Sequence, residues 1–196
     1  MRHLRMVAFG ATIVVLLTLR GTDAHGQSGG FFLVAADSAA TSRELSDTSG
    51  VCTIYVVQEA LHAGAEFTAV RFKISNNDFT GIWLGDTSGF ATVGNSQDGI
   101  AVSYGTCLQP PILVLSVRYF CTGTSGCTTV TLAPDPSSAS GQIASYDCTG
   151  TPLSPLGIAE LCVNGVVVPD DTGFGICDCT SPVEEGTWGR IKAIFQ

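Results

Sequence analysis

Ala65-Glu66-Phe67-Thr68-Ala69-Val70-Arg71-Phe72-Lys73-Ile74-Ser75 decides the fold class of this chain. Ala65, Phe67 and Ala69 alternate with Glu66 and Thr68. The phase then slips by one, and Val70, Phe72 and Ile74 alternate with Arg71, Lys73 and Ser75. A period of two belongs to a strand with one face against a core. An extra residue that resets the period is the mark of a β-bulge, placed here at Ala69–Val70. Two short strands with a kink between them would read the same way.

The same period recurs on both sides. Phe31 to Ala36 follows Gly29-Gly30, stops at Asp37 and reads as the first strand. Residues 37–50 are small and polar and read as a loop. Val51 to Gln58 is apolar on both faces, as a central strand covered on both sides would be. Ile100, Val102 and Tyr104 alternate with Ala101 and Ser103. Pro110-Pro111 blocks ladder bonding just before a strand from Ile112 to Phe120, with Leu113, Leu115, Val117 and Tyr119 on one face. Further strands are expected at Thr128–Leu132, Gln142–Asp147 and Ile158–Val163. Asn164-Gly165, between Leu161-Cys162-Val163 and Val166-Val167-Val168, is a strong hairpin signal. About nine or ten strands at this spacing suggest an all-β, two-sheet β-sandwich, with a barrel as the alternative.

The N-terminus carries a different signal. Arg2, His3 and Arg5 precede an uncharged run from Met6 to Leu19, and Thr22-Asp23-Ala24 closes it with small residues. That is the layout of a secretory signal peptide over 1–24. Arg20 stops the run short of the roughly 20 apolar residues of a membrane anchor. No later segment is apolar for long enough to span a bilayer. The expected localisation is therefore secreted or extracytoplasmic: periplasm, cell surface or extracellular space. Removing 1–24 takes away three of the nine basic residues and one of the seventeen acidic ones, leaving 6 and 16, net −10. So acidic a chain has no electrostatic footprint for nucleic acid. Residues 25–179 are read as the sandwich domain. Residues 180–196 are read as a linker and an amphipathic tail, in which Trp188, Ile191 and Phe195 fall on one face of a short C-terminal helix, either as a recognition or surface-retention element or docked on the sandwich.

Several of these residues carry a resemblance. Ile54-Tyr55-Val56-Val57, Gly64-Ala65-Glu66-Phe67, Val93-Gly94-Asn95-Ser96 and Val102-Ser103-Tyr104-Gly105-Thr106-Cys107 stand in the body of the chain. Tyr146-Asp147-Cys148, Cys177-Asp178-Cys179 and the ending Thr187-Trp188-Gly189-Arg190-Ile191-Lys192-Ala193 complete the set. Together they resemble a group of uncharacterised, paralogous secreted proteins of environmental bacteria, a resemblance that implies no activity. The strand order is also similar to cohesin-type and other immunoglobulin-like sandwiches. That likeness is one of fold, and the chain has no dockerin-like calcium repeat.

Eight cysteines follow the signal segment: Cys52, Cys107, Cys121, Cys127, Cys148, Cys162, Cys177 and Cys179. In an oxidising compartment pairing is the default, and sequence does not choose the connectivity. A Cys121–Cys127 bridge across a short Thr/Gly/Ser loop is a candidate. Cys177 and Cys179 point to opposite faces if Asp178 is extended, which gives them different partners, one of them Cys148 or Cys162. The spacings lack the C-x₂₋₄-C pairs of zinc sites and the C-x-x-C redox motif.

The sequence carries no recognisable catalytic pattern. His25 would be the new N-terminal residue, and His62 lies in a turn. A Ser-His-Asp triad would need His62, yet no G-x-S-x-G elbow presents a serine. Asp170-Asp171 and Glu184-Glu185 are neighbours in sequence, which does not set the separation glycosidase acids need. Asp170-Asp171 with Thr172-Gly173 could help hold calcium, but the spaced ligands of an EF-hand are missing and a polar turn is expected. No other cofactor is indicated. Trp83, between Ile82 and Leu84, is assigned to the core. The expected function is a secreted, non-enzymatic surface, adhesion or interaction module for an extracellular protein or glycan. The alternative is an extracellular hydrolase, which needs converging carboxylates or a network around His62.

Overall fold

The period of two is realised almost throughout. A computed structural model describes residues 30–60 and 64–180. The strands are β1 (Phe31–Ala35), β2 (Glu44–Leu45), β3 (Gly50–Glu59), β4 (Phe67–Ser75) and β5 (Ile82–Thr87). Then come β6 (Ala91–Asn95), β7 (Gly99–Leu108), β8 (Ile112–Cys121), β9 (Thr128–Ala133) and β10 (Ala144–Asp147). The last are β11 (Pro152–Leu153), β12 (Gly157–Ala159), β13 (Leu161–Val163), β14 (Val166–Val168) and β15 (Ile176–Asp178). The described residues contain no helix and more strands than the sequence suggested. The signal segment, His25, His62 and the tail with Trp188, Ile191 and Phe195 lie outside the described residues.

Two sheets form the sandwich. The first has the order β12-β1-β3-β8-β5. The second runs β11-β10-β4-β9-β13-β2, with β7 on the other side of β4 and β6 beyond it. One core cluster joins them: Phe32, Ile54 and Val117 from the first meet Phe72, Ile100 and Leu161 from the second. Each fully buried side chain of this size contributes about 1.5–3 kcal/mol of transfer free energy. A polar link crosses the same interior. The Tyr104 hydroxyl donates to Gln58 Oε1 at 2.7 Å, and Gln58 Nε2 donates to Ser145 Oγ at 3.0 Å. Burial pushes the Tyr104 phenol up. Buried polar groups persist where they are paired, and this pairing ties β3 to β7 and β10 across the sandwich.

The phase slip is a bulge. Both registers of β4 break at Thr68: against β10, Phe67 and Ala69 pair with the consecutive Asp147 and Tyr146 and Thr68 is surplus, whereas against β7 they pair with Leu108 and Ser103 and β7 carries the extra residues. The bulge thus sits one residue before the expected Ala69–Val70, and it returns Phe67 and Val70 to the same buried face. A second bulge lies in β8, where Val56 pairs with Leu115 and Val57 with Leu113, leaving Val114 surplus. Val114 and Leu115 are both buried and Leu113 turns outward, 41% exposed. The expectation that Leu113 shares a face with Leu115, Val117 and Tyr119 is corrected by that bulge.

Further expectations need correction. The loop at 37–50 contains β2, which pairs with β13 in parallel. The single strand expected over Ile158–Val163 is two: β12 lies parallel to β1 in the first sheet, whereas β13 pairs with β9 in the second. Only Glu160 separates them, so the chain changes sheets within one residue. Asn164-Gly165 does not close a hairpin onto β13. It turns the chain into a separate ribbon in which β14 pairs with β15. Asn164 takes the left-handed conformation, φ 53°. Its side chain accepts from Asp47 N at 2.8 Å and donates to Ser125 O at 2.9 Å. Tertiary bonds, not hairpin pairing, use the turn residue.

Candidate functional site

All eight cysteines are paired: Cys52–Cys121, Cys107–Cys148, Cys127–Cys179 and Cys162–Cys177. The local Cys121–Cys127 bridge does not form, because Cys121 points into the core toward β3. Cys177 and Cys179 do have different partners, and Cys162 is one of them. Two bridges hold the β14–β15 ribbon to the sandwich, since β14–β15 has no ladder to either large sheet. Such bridging fits an oxidising, extracytoplasmic compartment. Among the described residues no helix is long and apolar enough to cross a membrane.

The outer face of the first sheet carries an apolar row. Val51 on β3 pairs with Phe120 on β8, and Phe120 pairs with Ile82 on β5. Directly opposed residues of an antiparallel ladder point to the same face. These three are 66%, 41% and 59% exposed. The next row holds Thr53, the exposed Arg118 and Gly85. β5 is the rim of this sheet, and Leu84, surplus at a bulge between Trp83 and Gly85, is also exposed. Trp83 is not a core residue. It pairs with the buried Tyr119 but sits on the rim strand, so it is 37% exposed, and its indole N–H donates to Asp86 Oδ1 at 3.0 Å. Sequence reasoning missed β5 and this surface. Ile82-Trp83-Leu84 looks like core, and the only hint was its setting among glycines 81, 85 and 89.

Beside β1 lies an open cleft of about 470 Å³ lined by Phe31, Leu33, Leu156, Phe174 and Arg43. The rings of Phe31 and Phe174 are 5.4 Å apart. Arg43 donates to the Glu160 carbonyl at 3.4 Å.

The acidic groups are mostly occupied within their own loops. The Asp170 carboxylate accepts from the Thr172 hydroxyl and from Gly175 N. Asp37, Asp147 and Asp178 are held in the same way by donors two to five residues on, Ser42, Thr149 and Thr180 among them. Asp135 takes the Arg71 guanidinium at 2.6 Å, and Arg71 also reaches Ser137. Among the described residues, groups of three or more potential His, Cys, Asp and Glu ligands each include bridged cysteines.

These carboxyls set a pH dependence. Hydrogen bonds from Thr41, Thr149, Thr172 and Thr180, respectively, hold Asp37, Asp147, Asp170 and Asp178 below the usual carboxylate range. Burial opposes ionisation of Asp47 and Asp135, yet donors from Ser125 and from Arg71 outweigh it and keep both low. A lowered folded pKa contributes stability above the unfolded value of about 3.9 and loses it as pH falls through the folded value. Glu59 runs the other way, because burial raises its carboxyl. With six lowered groups against one raised, the urea midpoint is expected to hold down to about pH 5 and to fall below about pH 4. A midpoint at pH 3 equal to that at pH 6 would contradict these hydrogen bonds.

No family model matches the chain, and no curated protein does. Among solved structures, the chain is similar to the cohesin module of a Clostridium perfringens family 33 glycoside hydrolase. That pair is 12% identical with a TM-score of 0.46, covering 64% of this chain and 89% of that one. A non-cellulosomal cohesin from Archaeoglobus fulgidus is 11% identical with a TM-score of 0.47, covering 68% and 88%. The third ScaB cohesin of R. flavefaciens, solved in complex with a group 1 dockerin, is 8% identical with a TM-score of 0.48, covering 67% and 92%. All three are cohesins.

Proposed function

We propose that this protein is a secreted, non-enzymatic interaction module. A partner protein docks on the outer face and rim of the first sheet. The observation that carries this reading is the row Val51–Phe120–Ile82, exposed on three adjacent strands and continued at the rim by Leu84. Single exposed apolar residues are ordinary, whereas a contiguous set marks an interaction surface. A rim strand also leaves backbone groups free to pair with another chain. The partner's matching surface is apolar, with an acidic group opposite the exposed Arg118 beside the row. A protein suits this surface better than a glycan. Phe120 shares the outer face with Ile82, whereas Trp83 shares a face with the buried Tyr119, so the two exposed rings do not form one stacking platform.

The test places a photo-crosslinking residue at position 82 or 120 in the secreting cell and identifies the captured protein. That protein is then purified and its affinity measured. Ile82→Ser with Phe120→Ser should weaken binding at least about tenfold, as loss of central apolar anchors does, and leave the unfolding midpoint unchanged. Equal capture from an exposed position on the second sheet, such as Thr92, would sink the reading. So would undiminished affinity of the double variant.

A further inference from the structure

Four cysteines meet at one corner of the sandwich. Cys127 precedes β9, Cys162 lies in β13, Cys177 in β15 and Cys179 just beyond it. The bridges Cys127–Cys179 and Cys162–Cys177 run side by side. Cys127 Sγ is 3.9 Å from Cys177 Sγ, and the sulfurs of Cys127, Cys177 and Cys179 all lie within 4.8 Å of one another. The fourth sulfur, Cys162 Sγ, is bonded to Cys177 Sγ and lies beyond that limit from at least one of the three. A Cβ on Gly165 would come within 2.7 Å of both Cys127 Sγ and Cys162 Sγ, so those two sulfurs face one small space that only glycine leaves open.

The spacing has a chemical meaning. Tetrahedral zinc–thiolate bonds of about 2.3 Å set sulfurs about 3.8 Å apart along each edge. The Cys127–Cys177 separation already has that length. The bonded pairs need only swing apart by side-chain rotation once their bridges are open. The ladder of β9 with β13 holds Cys127 and Cys162 in place, and the β14–β15 ribbon stays tied beside them without its bridges through Val167 N, which donates to Glu44 Oε1 at 2.8 Å.

We propose that, in the thiol form of the chain, Cys127, Cys162, Cys177 and Cys179 make a four-thiolate site for one thiophilic divalent cation of the zinc–cadmium class. Metal and bridges are alternative occupants of the corner. Binding forms four metal–sulfur bonds and releases the thiol protons to solvent. Closing both bridges instead removes four electrons and four protons, which reduce two equivalents of a disulfide oxidant to thiols. A dithiol reductant runs that step in reverse. The C-x-C spacing does not exclude such a site, because the ligands come from three separate parts of the chain. The other cysteine group, Cys107 and Cys148 beside Glu66, brings only two sulfurs together and serves as an internal control. The inference is independent of the docking surface.

The experiment uses the full chain, reduced and freed of reductant without air. One equivalent of zinc is added, and alkylation of each cysteine is followed by peptide mass spectrometry. Zinc should slow alkylation of the four corner cysteines together, by at least about tenfold. Cys52, Cys107, Cys121 and Cys148 should react as before. Cys162→Ser should remove the protection of the other three. A cadmium titration reads the same site through its thiolate charge-transfer band, which should report four thiolates. A chain with Cys52, Cys107, Cys121 and Cys148 changed to Ser should keep that band in full. The proposal is overturned if zinc protects no cysteine, all eight alike, or Cys107 and Cys148 preferentially. It is overturned equally if cadmium reports fewer than four thiolates in the chain that keeps only the corner.

Discussion

Replacing Cys52 and Cys121 together by alanine is expected to lower the unfolding free energy by about 4 kcal/mol. The bridge joins residues 69 apart in sequence. Closing a loop of that length removes more freedom from the unfolded chain than closing a short one. Cys162–Cys177 spans only 15 residues, and its removal is expected to cost about 3 kcal/mol. Cys52–Cys121 also joins the two central strands of the first sheet, and Cys121 is fully buried, so alanine there leaves a small void as well. Urea unfolding of each double variant, with the other bridges intact, gives both numbers. If the short-loop variant lost more than the long-loop one, chain entropy would not be the source of the stabilisation.

Phe72→Ala is the second large effect. Phe72 is fully buried on β4, the strand shared by most of the second sheet, and its ring centroid lies 6.2 Å from that of Phe32 across the sandwich. Deleting a buried ring removes its transfer free energy and leaves a cavity, together about 3–5 kcal/mol. Phe120→Ala is the matched control. It has the same chemistry on an outward face and should change stability by no more than about 0.5 kcal/mol. The contrast separates a ring that holds the fold from a ring that is available to a partner. Equal losses at the two positions would mean that the outer row is covered within the molecule, and the docking surface would be withdrawn.

Much of the architecture is written in periodicity. Val70, Phe72 and Ile74 announce their buried face because Arg71, Lys73 and Ser75 separate them. The bulge at Thr68 shows as a phase slip for the same reason. Around Val114 the neighbours are all aliphatic, so a slip leaves no trace in Ile112-Leu113-Val114-Leu115 and Leu113 is misplaced. β5 and β6 are interrupted by Gly85 and Gly94, and neither alternates cleanly. Asn164-Gly165 carries a sound local signal that long-range bonds to Asp47 and Ser125 override. The candidate site was the least legible part. An exposed Ile82 and a buried one have the same letter, and only the position of β5 at the rim distinguishes them. The thiol corner was equally hidden, because Cys127 comes to it from 50 residues away in sequence.

The bridge pattern also sets how far this molecule can be stretched. Between Cys52 and Cys179 the covalent path of least length bypasses most of the chain. It crosses one bridge to Cys121, follows the backbone to Cys127 and crosses a second bridge to Cys179. The Cα atoms joined by those bridges are 6.0 and 5.5 Å apart. At roughly 3.5 Å per residue for the intervening segment, the taut path is only about 30 Å, where the unbridged chain would pay out more than about 400 Å. Tension applied along the backbone on either side therefore meets a short, inextensible link. Even with every ladder pulled open, Cys52 and Cys179 could be drawn no further apart than about 30 Å.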